Sequence, residues 1–181
     1  YSLSDGIVRI EELVATAAAA RMPAVAVTDL ANLFGAVKFF QKAVKAGVKP
    51  ILGSDVWLEN PVDRNKPYRL VLLCLDRQGY LNLNQLLTRA YTEGQHSGRP
   101  CIQREWFSGY SDGLIALSGA LDGDIGQALV GGHADAAERL ARDGEAVDLE
   151  RFAAHIAAGH LPHRAMIDCT ADAQVPARYA G

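Results

Sequence analysis

Two hydrophobic periodicities alternate along the first 143 residues of the chain. Apolar residues recur at three- and four-residue spacing over segments 10–22, 33–46, 79–91 and 124–130, which predicts four helices. Short apolar runs at 24–28, 50–58, 68–75 and 113–117 predict strands between them. Segment 59–67 is polar and carries two prolines, so we expect a loop there. This alternation is typical of an α/β fold with a mainly parallel sheet.

Proline and glycine mark the ends of two of these helices. Pro23 should end the first helix, because the residue before a proline is disfavoured in helical geometry. Gly47 follows the second helix and is a favourable C-terminal cap, since glycine adopts the left-handed conformation readily. Both residues support the element boundaries that the periodicity predicts.

Composition indicates the general class of the protein but not the reaction that it carries out. Of the 181 residues, 49% are hydrophobic and 22% charged, as in ordinary globular domains. The net charge of −3 argues against an autonomous DNA-binding module with a broad basic surface. We find neither a signal peptide nor an apolar run long enough to cross a bilayer, so we predict a cytoplasmic location and no membrane partner. Because the chain begins at Tyr1 without a methionine, we expect a fragment of a longer protein.

The three cysteines do not favour a disulfide framework or a structural zinc site. Cys74, Cys101 and Cys169 are odd in number and form no CxxC pair. Cys74 lies within the apolar run 70–75, where we expect a small buried thiol.

Five segments resemble, in their order and spacing, the PHP domain of bacterial DNA polymerase III alpha subunits. They are 1–6, 23–35, 47–55, 69–73 together with 79–83, and 113–119. The run Thr28-Asp29-Leu30-Ala31-Asn32 is similar to a family motif that reads Thr-Asp-His-Gly-Asn in metal-binding members. The resemblance implies a partial PHP-type distorted (β/α) barrel over residues 1–143, with a site at the strand ends. In active members that site binds metal ions, which activate water for phosphoester hydrolysis.

The resemblance places four metal-ligand positions on this sequence: Asp5, Leu30, Asp55 and Arg69. The two aspartates keep a carboxylate, whereas Leu30 and Arg69 stand where the family has histidine. A leucine has no donor atom, and a guanidinium is a permanent cation that repels a metal. These four positions are therefore interpreted as a vestigial site without metal or catalytic residues. We expect Asp55 and Arg69 to form a salt bridge in place of the metal, with side chains less than about 6 Å apart.

The interpretation as a vestigial site implies that the segment is a scaffold and not an enzyme. The longer protein would carry out DNA-directed DNA synthesis with Mg²⁺ and hold the DNA contacts. The present segment would bind no cofactor and would dock the proofreading exonuclease subunit and other replicase subunits. Two alternatives stay open: an active metal-dependent PHP phosphoesterase or 3′–5′ exonuclease, and a fragment of an NAD(P)-dependent homoserine dehydrogenase.

Other polar residues have structural interpretations that are at least as good as functional ones. Asp5 precedes a helix and could satisfy its free N–H groups, while Asp29 is expected to close a strand. His96 lies in a polar segment and His133 follows two glycines, so both are predicted to be solvated. Residues 122–124, Asp-Gly-Asp, are expected to form a turn ahead of a helix.

From about residue 144 the sequence resembles a different family, the homoserine dehydrogenase half of bifunctional aspartokinase enzymes. Segments 147–152 and 161–171 carry this likeness, and Ile167-Asp168-Cys169-Thr170 is its most specific part. A helix, a strand and a helix of Rossmann-like origin are predicted at 148–158, 164–168 and 172–179. No glycine-rich dinucleotide fingerprint precedes them, so this tail should not work as a dehydrogenase. A gene fusion, an engineered joint or an assembly error would each explain a junction at Asp143-Gly144, and His155, His160 and His163 are expected at the surface.

Overall fold

The computed structural model describes residues 8–143, which fold into a sheet with helices packed against it. Every helix and strand predicted within this part of the chain is present, with ends shifted by a few residues. Strands β4 and β5 and helices α4 and α6 are additions that the periodicity did not predict. The elements are α1 Ile10–Ala19, β1 Ala24–Leu30, α2 Ala36–Ala46, β2 Lys49–Leu58, β3 Tyr68–Cys74, α3 Arg77–Thr92, β4 Gln95–His96, β5 Arg99–Ile102, α4 Phe107–Tyr110, β6 Leu114–Ser118, α5 Asp124–Val130 and α6 Ala134–Asp143.

Strand β2 is the centre of the sheet. It pairs in parallel with β1 and β5 and antiparallel with β3, which in turn pairs antiparallel with β6. Strands β4 and β5 form a further antiparallel pair. The prediction of a mainly parallel sheet is therefore wrong for the described residues. Hydrophobic runs report burial and not strand direction, and the helix-free loop 59–67 lets β3 return beside β2.

The mixed α/β content agrees with the predicted fold class only at that coarse level. Closure of the sheet into a barrel stays a prediction. The Rossmann-like tail and its three histidines lie outside the described residues, as do Asp5 and Cys169.

A tight hairpin joins β4 to β5 where the sequence suggested an open polar loop around His96. Its two turn residues, Ser97 and Gly98, have φ angles of 49° and 76°. Two consecutive residues with positive φ are typical of a two-residue hairpin turn, because that twist matches the twist of the strands. The Ser-Gly pair was the available sequence signal for this hairpin.

The helices cover one face of the sheet and build the core there. Side chains alternate between the two faces along a strand, and the even-numbered residues of β2 point toward α1, α2 and α3. The strand residues that join this core are Val25, Val27, Leu52, Val56, Leu70, Leu72, Cys74, Leu114 and Ala116, and the helix residues include Val14, Phe39, Ala43, Leu83 and Leu86. The thiol of Cys74 is buried, as predicted, and burial raises its pKa to about 12.

The opposite face carries a different kind of residue. Lys49, Asp55 and Trp57 of β2 point to it, and none of the three belongs to the core cluster. Register adds residues of the neighbouring strands, because Leu30 lies beside Asp55 and Arg69 beside Trp57. The charged positions singled out by the sequence therefore lie on the face that α1, α2 and α3 leave clear.

Helix α5 begins at Asp124, as predicted, but this residue does more than form a turn. Asp124 is 8% exposed, and its carboxylate accepts a hydrogen bond from Arg104, which follows β5. The other carboxylate oxygen accepts from the Ile125 backbone N–H at 2.8 Å. The pair ties the end of β5 to the start of α5.

Candidate functional site

Three of the four predicted site positions converge at one corner of the sheet. Leu30 ends β1 and is the register partner of Asp55, and Arg69 lies at the start of β3. The fourth position, Asp5, is outside the described residues. Strand pairing therefore brings Leu30, Asp55 and Arg69 together at one corner of the sheet.

Asp55 and Arg69 form the salt bridge that the sequence predicted. The Arg69 Nε donates to Asp55 Oδ1 at 2.9 Å, and a terminal guanidinium nitrogen donates to Oδ2. Both carboxylate oxygens are thus engaged by one guanidinium in a two-point contact. The side chains are 26% and 22% exposed for Arg69 and Asp55, so the pair is partly shielded from water.

Trp57 extends this pair into a longer array that the sequence did not reveal. The Arg69 guanidinium carbon lies 4.6 Å from the centre of the Trp57 ring, and that of Arg99 lies 5.1 Å from it. Both distances are within the range of cation–π attraction. Arg99 also donates to the Asn65 carbonyl at 3.3 Å, which links the array to loop 59–67. Trp57 was detectable in principle, since it lies two residues after Asp55 on the same face of a strand.

The turn after β1 is held to the site by backbone hydrogen bonds. The Ala31 N–H donates to the Asp55 carbonyl at 2.6 Å, and Ala31 has a φ of 53°. Its left-handed conformation is costly for alanine and is one that glycine adopts more readily. Asn32 donates to the Leu30 carbonyl at 2.8 Å and accepts from the Phe34 N–H at 3.1 Å. The turn is therefore rigid beside Leu30.

Asp29 lies within β1 next to this turn, one residue before the strand ends. Its carbonyl accepts a hydrogen bond from the Ser54 hydroxyl at 2.8 Å. β1 therefore extends one residue beyond the strand end predicted at Asp29, and this hydrogen bond joins the backbone of β1 to β2.

The described residues at this corner do not fit a metal cluster. Leu30 offers no donor, and the carboxylate of Asp55 already binds a cation on both oxygens. Across the described part of the chain, no group of three or more His, Cys, Asp or Glu side chains is close enough to share an ion. The histidines singled out by sequence lie elsewhere: His96 Nε2 is 3.1 Å from Asn65 Oδ1, and His133 is exposed ahead of α6.

Lys49 is a further unusual residue of this face, and sequence reasoning missed it. It is 9% exposed, and its Nζ has no hydrogen-bond partner among residues 8–143. Desolvation lowers the pKa of this amine to about 8. Nothing in a strand-like sequence marks such a lysine, because lysines at strand starts are normally solvated.

Comparison with known proteins identifies the family of this chain. The PHP domain family matches residues 1–153. The chain belongs to the PHP domain family. DNA polymerase III subunit alpha of Pseudomonas fluorescens is 45% identical over 90% of the chain, and that of Pseudomonas aeruginosa is 45% identical over 84%. The Escherichia coli K12 subunit is 40% identical over 74%.

These relatives are much longer than the present chain, which spans 12–14% of their length. The predicted resemblance to the alpha-subunit PHP domain is confirmed. The predicted resemblance of residues 144–181 to homoserine dehydrogenase receives no support. The PHP match runs to residue 153, beyond the boundary expected at 143, and the Pseudomonas fluorescens alignment also takes in part of that segment.

Among the helices of the described residues, none combines the length and apolar character needed to span a bilayer.

Proposed function

We propose that this chain is a non-catalytic PHP domain of a replicative DNA polymerase alpha subunit. In this proposal the longer protein carries out DNA-directed DNA synthesis with Mg²⁺, and other replicase subunits and DNA bind the assembled protein. The PHP segment serves as a scaffold that docks the proofreading exonuclease subunit. The 45% identity to DNA polymerase III alpha subunits supports the parent protein.

The observation that carries the non-catalytic role is the two-point contact between Arg69 and Asp55. A PHP phosphoesterase needs free carboxylates and imidazoles to gather cations, which then lower the pKa of bound water. Here a side chain that cannot lose its charge occupies the carboxylate, and Leu30 lies beside it. The guanidinium supplies the positive charge that metals would supply, but it cannot generate a hydroxide.

The same contacts suit a scaffold. Arg69 and Trp57 join β3 to β2, and Arg99 joins β5 and loop 59–67 to the same ring. A corner held by side chains on three strands keeps its shape without a bound ion. The net charge of −3 is consistent with DNA contacts made elsewhere in the longer protein.

Metal binding and hydrolysis by the purified chain test the first half of this proposal. Wild-type protein should bind neither Mn²⁺ nor Zn²⁺ with micromolar affinity by calorimetry, and should not hydrolyse a phosphodiester when these ions are added. The double variant Leu30→His/Arg69→His is the matched control, since it returns two imidazoles beside Asp55 and should gain Zn²⁺ binding. A wild-type chain that holds two or three metal ions and cleaves DNA would establish the active phosphoesterase instead.

Direct binding tests the second half. The proofreading exonuclease subunit encoded by the same genome should bind the wild-type chain in calorimetry and co-elute with it in gel filtration. Absence of binding at tens of micromolar would refute the docking role and leave the metal result intact. The dehydrogenase prediction for residues 144–181 is tested separately, by sequencing the source gene across Asp143-Gly144.

A further inference from the structure

Two large apolar side chains are exposed around the start of α2. Phe34, two residues before α2, is 76% exposed, and Val37, in the first turn of α2, is 57% exposed. Single exposed apolar residues are common on protein surfaces and need no explanation. Phe34 and Val37 differ from such residues in the ordered backbone that carries Phe34 and in the charge of the surface beside them.

The backbone that carries Phe34 is fixed before any partner arrives. Asn32 bonds to the Leu30 carbonyl and to the Phe34 N–H, at 2.8 and 3.1 Å. The Ala36 N–H donates to the Leu33 carbonyl at 3.1 Å and closes the turn into α2. An aromatic side chain on an ordered turn loses little conformational entropy on binding, which is the usual property of an interface anchor.

The surface beside these residues is basic. Lys38, Lys42 and Lys45 are all exposed on α2. Two of them form salt bridges with one carboxylate, that of Glu11 in α1. The Nζ to Oε1 distances are 3.0 Å for Lys38 and 3.9 Å for Lys42. The hydrogen bond from Lys38 lowers the pKa of Glu11, so this carboxylate stays charged at neutral pH. Two of the three lysines share the carboxylate of Glu11, and α2 itself contains no acidic residue, so its exposed face is positive although the chain has a net charge of −3.

Loop 59–67 offers an instructive contrast. Val62 is 91% exposed at its tip, more than Phe34. Its charged neighbours are compensated, because Arg64 pairs with Glu59 at 2.7 Å and Lys66 with Asp63 at 3.7 Å. An exposed apolar residue whose charged neighbours are already paired offers no charge to attract a particular partner. Val62 is therefore a suitable negative control.

We propose that Phe34, Val37, Lys38, Lys42 and Lys45, here called the α2 surface, dock an acidic amphipathic segment. Such a segment places apolar side chains at helical spacing against Phe34 and Val37 and carboxylates against the lysines. Resting on the proposed function, the inference assigns this segment to the proofreading exonuclease subunit. The apolar pair supplies the affinity, and the lysines supply orientation and a faster association rate.

Two probes test the α2 surface by fluorescence anisotropy with the full 181-residue chain. The first is the dye-labelled exonuclease subunit from the same genome. The second is a synthetic helical peptide with leucine at heptad positions flanked by glutamate. A peptide in which lysine replaces every glutamate is its control, and it should bind at least about tenfold more weakly because it meets like charge.

Three variants locate the binding. Phe34→Ser/Val37→Ser should weaken both probes at least about tenfold, as expected for anchor residues. Lys38→Gln/Lys42→Gln/Lys45→Gln should weaken them several-fold and reduce the dependence of affinity on salt. Val62→Ser should bind both probes like wild type. Circular dichroism and urea midpoints establish that each variant is folded, since all of these side chains are exposed.

The outcomes separate this inference from the proposed function. Exonuclease binding that is indifferent to Phe34, Val37 and the lysines would overturn the α2 surface while leaving the docking role in place. Binding of the glutamate peptide alone, lost in the Phe34/Val37 variant, would support the surface and remove the exonuclease as its occupant. If wild type binds neither probe, or binds the lysine peptide equally well, the α2 surface is wrong.

Discussion

The two faces of the sheet solve the problem of buried polar groups differently. On the face under α1, α2 and α3, Ser54 is fully buried and donates its hydroxyl hydrogen to the Asp29 carbonyl at 2.8 Å. On the opposite face, Lys49 is 9% exposed and its amine has no hydrogen-bond partner in the part of the chain that the structure describes. A satisfied hydroxyl costs little, whereas an unpaired buried amine lowers stability.

The difference separates the face that forms the main core from the face that carries the charged site residues. The helix-covered face carries the main apolar core cluster. The other face holds Asp55 and Arg69, which the family resemblance predicts as former metal-ligand positions, together with Trp57. Because side chains alternate between the two faces along β2, neighbouring residues of this strand contribute to different faces.

The largest expected effect compares a leucine from each region. Leu86 is completely buried in the core, and Leu86→Ala should lower the free energy of unfolding by about 3–4 kcal/mol. Leu30 is only half-buried at the site corner, so Leu30→Ala should cost about 1 kcal/mol. Urea unfolding followed by tryptophan fluorescence measures both. Equal losses would mean that the site face is packed as tightly as the core.

Lys49→Met should do the opposite and stabilise the protein. Methionine keeps the length of the side chain and removes the unpaired amine, for an expected gain of about 1–3 kcal/mol at pH 7. The gain should shrink as pH rises, because wild-type Lys49 loses its charge near its folded pKa of about 8, whereas the unfolded chain keeps the proton to about 10.5. The desolvation cost is thus fully present below pH 8 and relieved between pH 8 and 10.5.

Urea midpoints of wild type and Lys49→Met at pH 7 and pH 9.5 check this sign. Lys45→Met, at an exposed position of α2, is the control and should change little at either pH. A loss of stability in Lys49→Met would show that the amine has a favourable interaction in solution.

A double-mutant cycle should give Asp55 and Arg69 a coupling of about 1–2 kcal/mol, between the values typical of exposed and of buried pairs. Arg89 and Glu93 are the matched control, because Arg89 also stacks on a tryptophan, with its guanidinium carbon 4.3 Å from the Trp106 ring centre. That pair is more exposed, at 30% and 54%, and spans one helical turn, so its coupling should be near 0.5 kcal/mol. Equal couplings would mean that the partly buried Asp55–Arg69 pair stabilises the protein no more than the exposed Arg89–Glu93 pair.

The positions of helices and strands were predictable because they depend on local periodicity. Strand direction was not, since the apolar runs of β2 and β3 look the same for either orientation. The Asp55–Arg69 pair was predicted only through the family resemblance, because fourteen residues separate the two and no spacing rule joins them. The structure confirms that pair, while the vestigial role of the site stays a prediction.

The contacts of Trp57 and Arg99 and the burial of Lys49 were not predicted, because they depend on how distant elements pack. Arg99 reaches Trp57 only because the hairpin of β4 and β5 places it beside β2, and that hairpin was interpreted as a loop. Long-range neighbours depend on topology, so an error in one short element hides the contacts that it makes. Lys49 was missed similarly, since its burial comes from how the surrounding elements pack and not from its own sequence environment.

The smallest expected effect concerns backbone strain at the site end of the sheet. Ala31 and Ala120 have φ angles of 53° and 49°, which glycine adopts with less strain. Ala120 is exposed, so Ala120→Gly should raise the free energy of unfolding by about 0.5 kcal/mol, the relief of strain exceeding the added entropy of the unfolded chain. Ala31 is 4% exposed, and Ala31→Gly also removes a buried methyl group, so its net change should be near zero. Thermal unfolding by calorimetry resolves the two, and a clear gain in Ala31→Gly alone would mean that the site corner stores more strain than its backbone angle indicates.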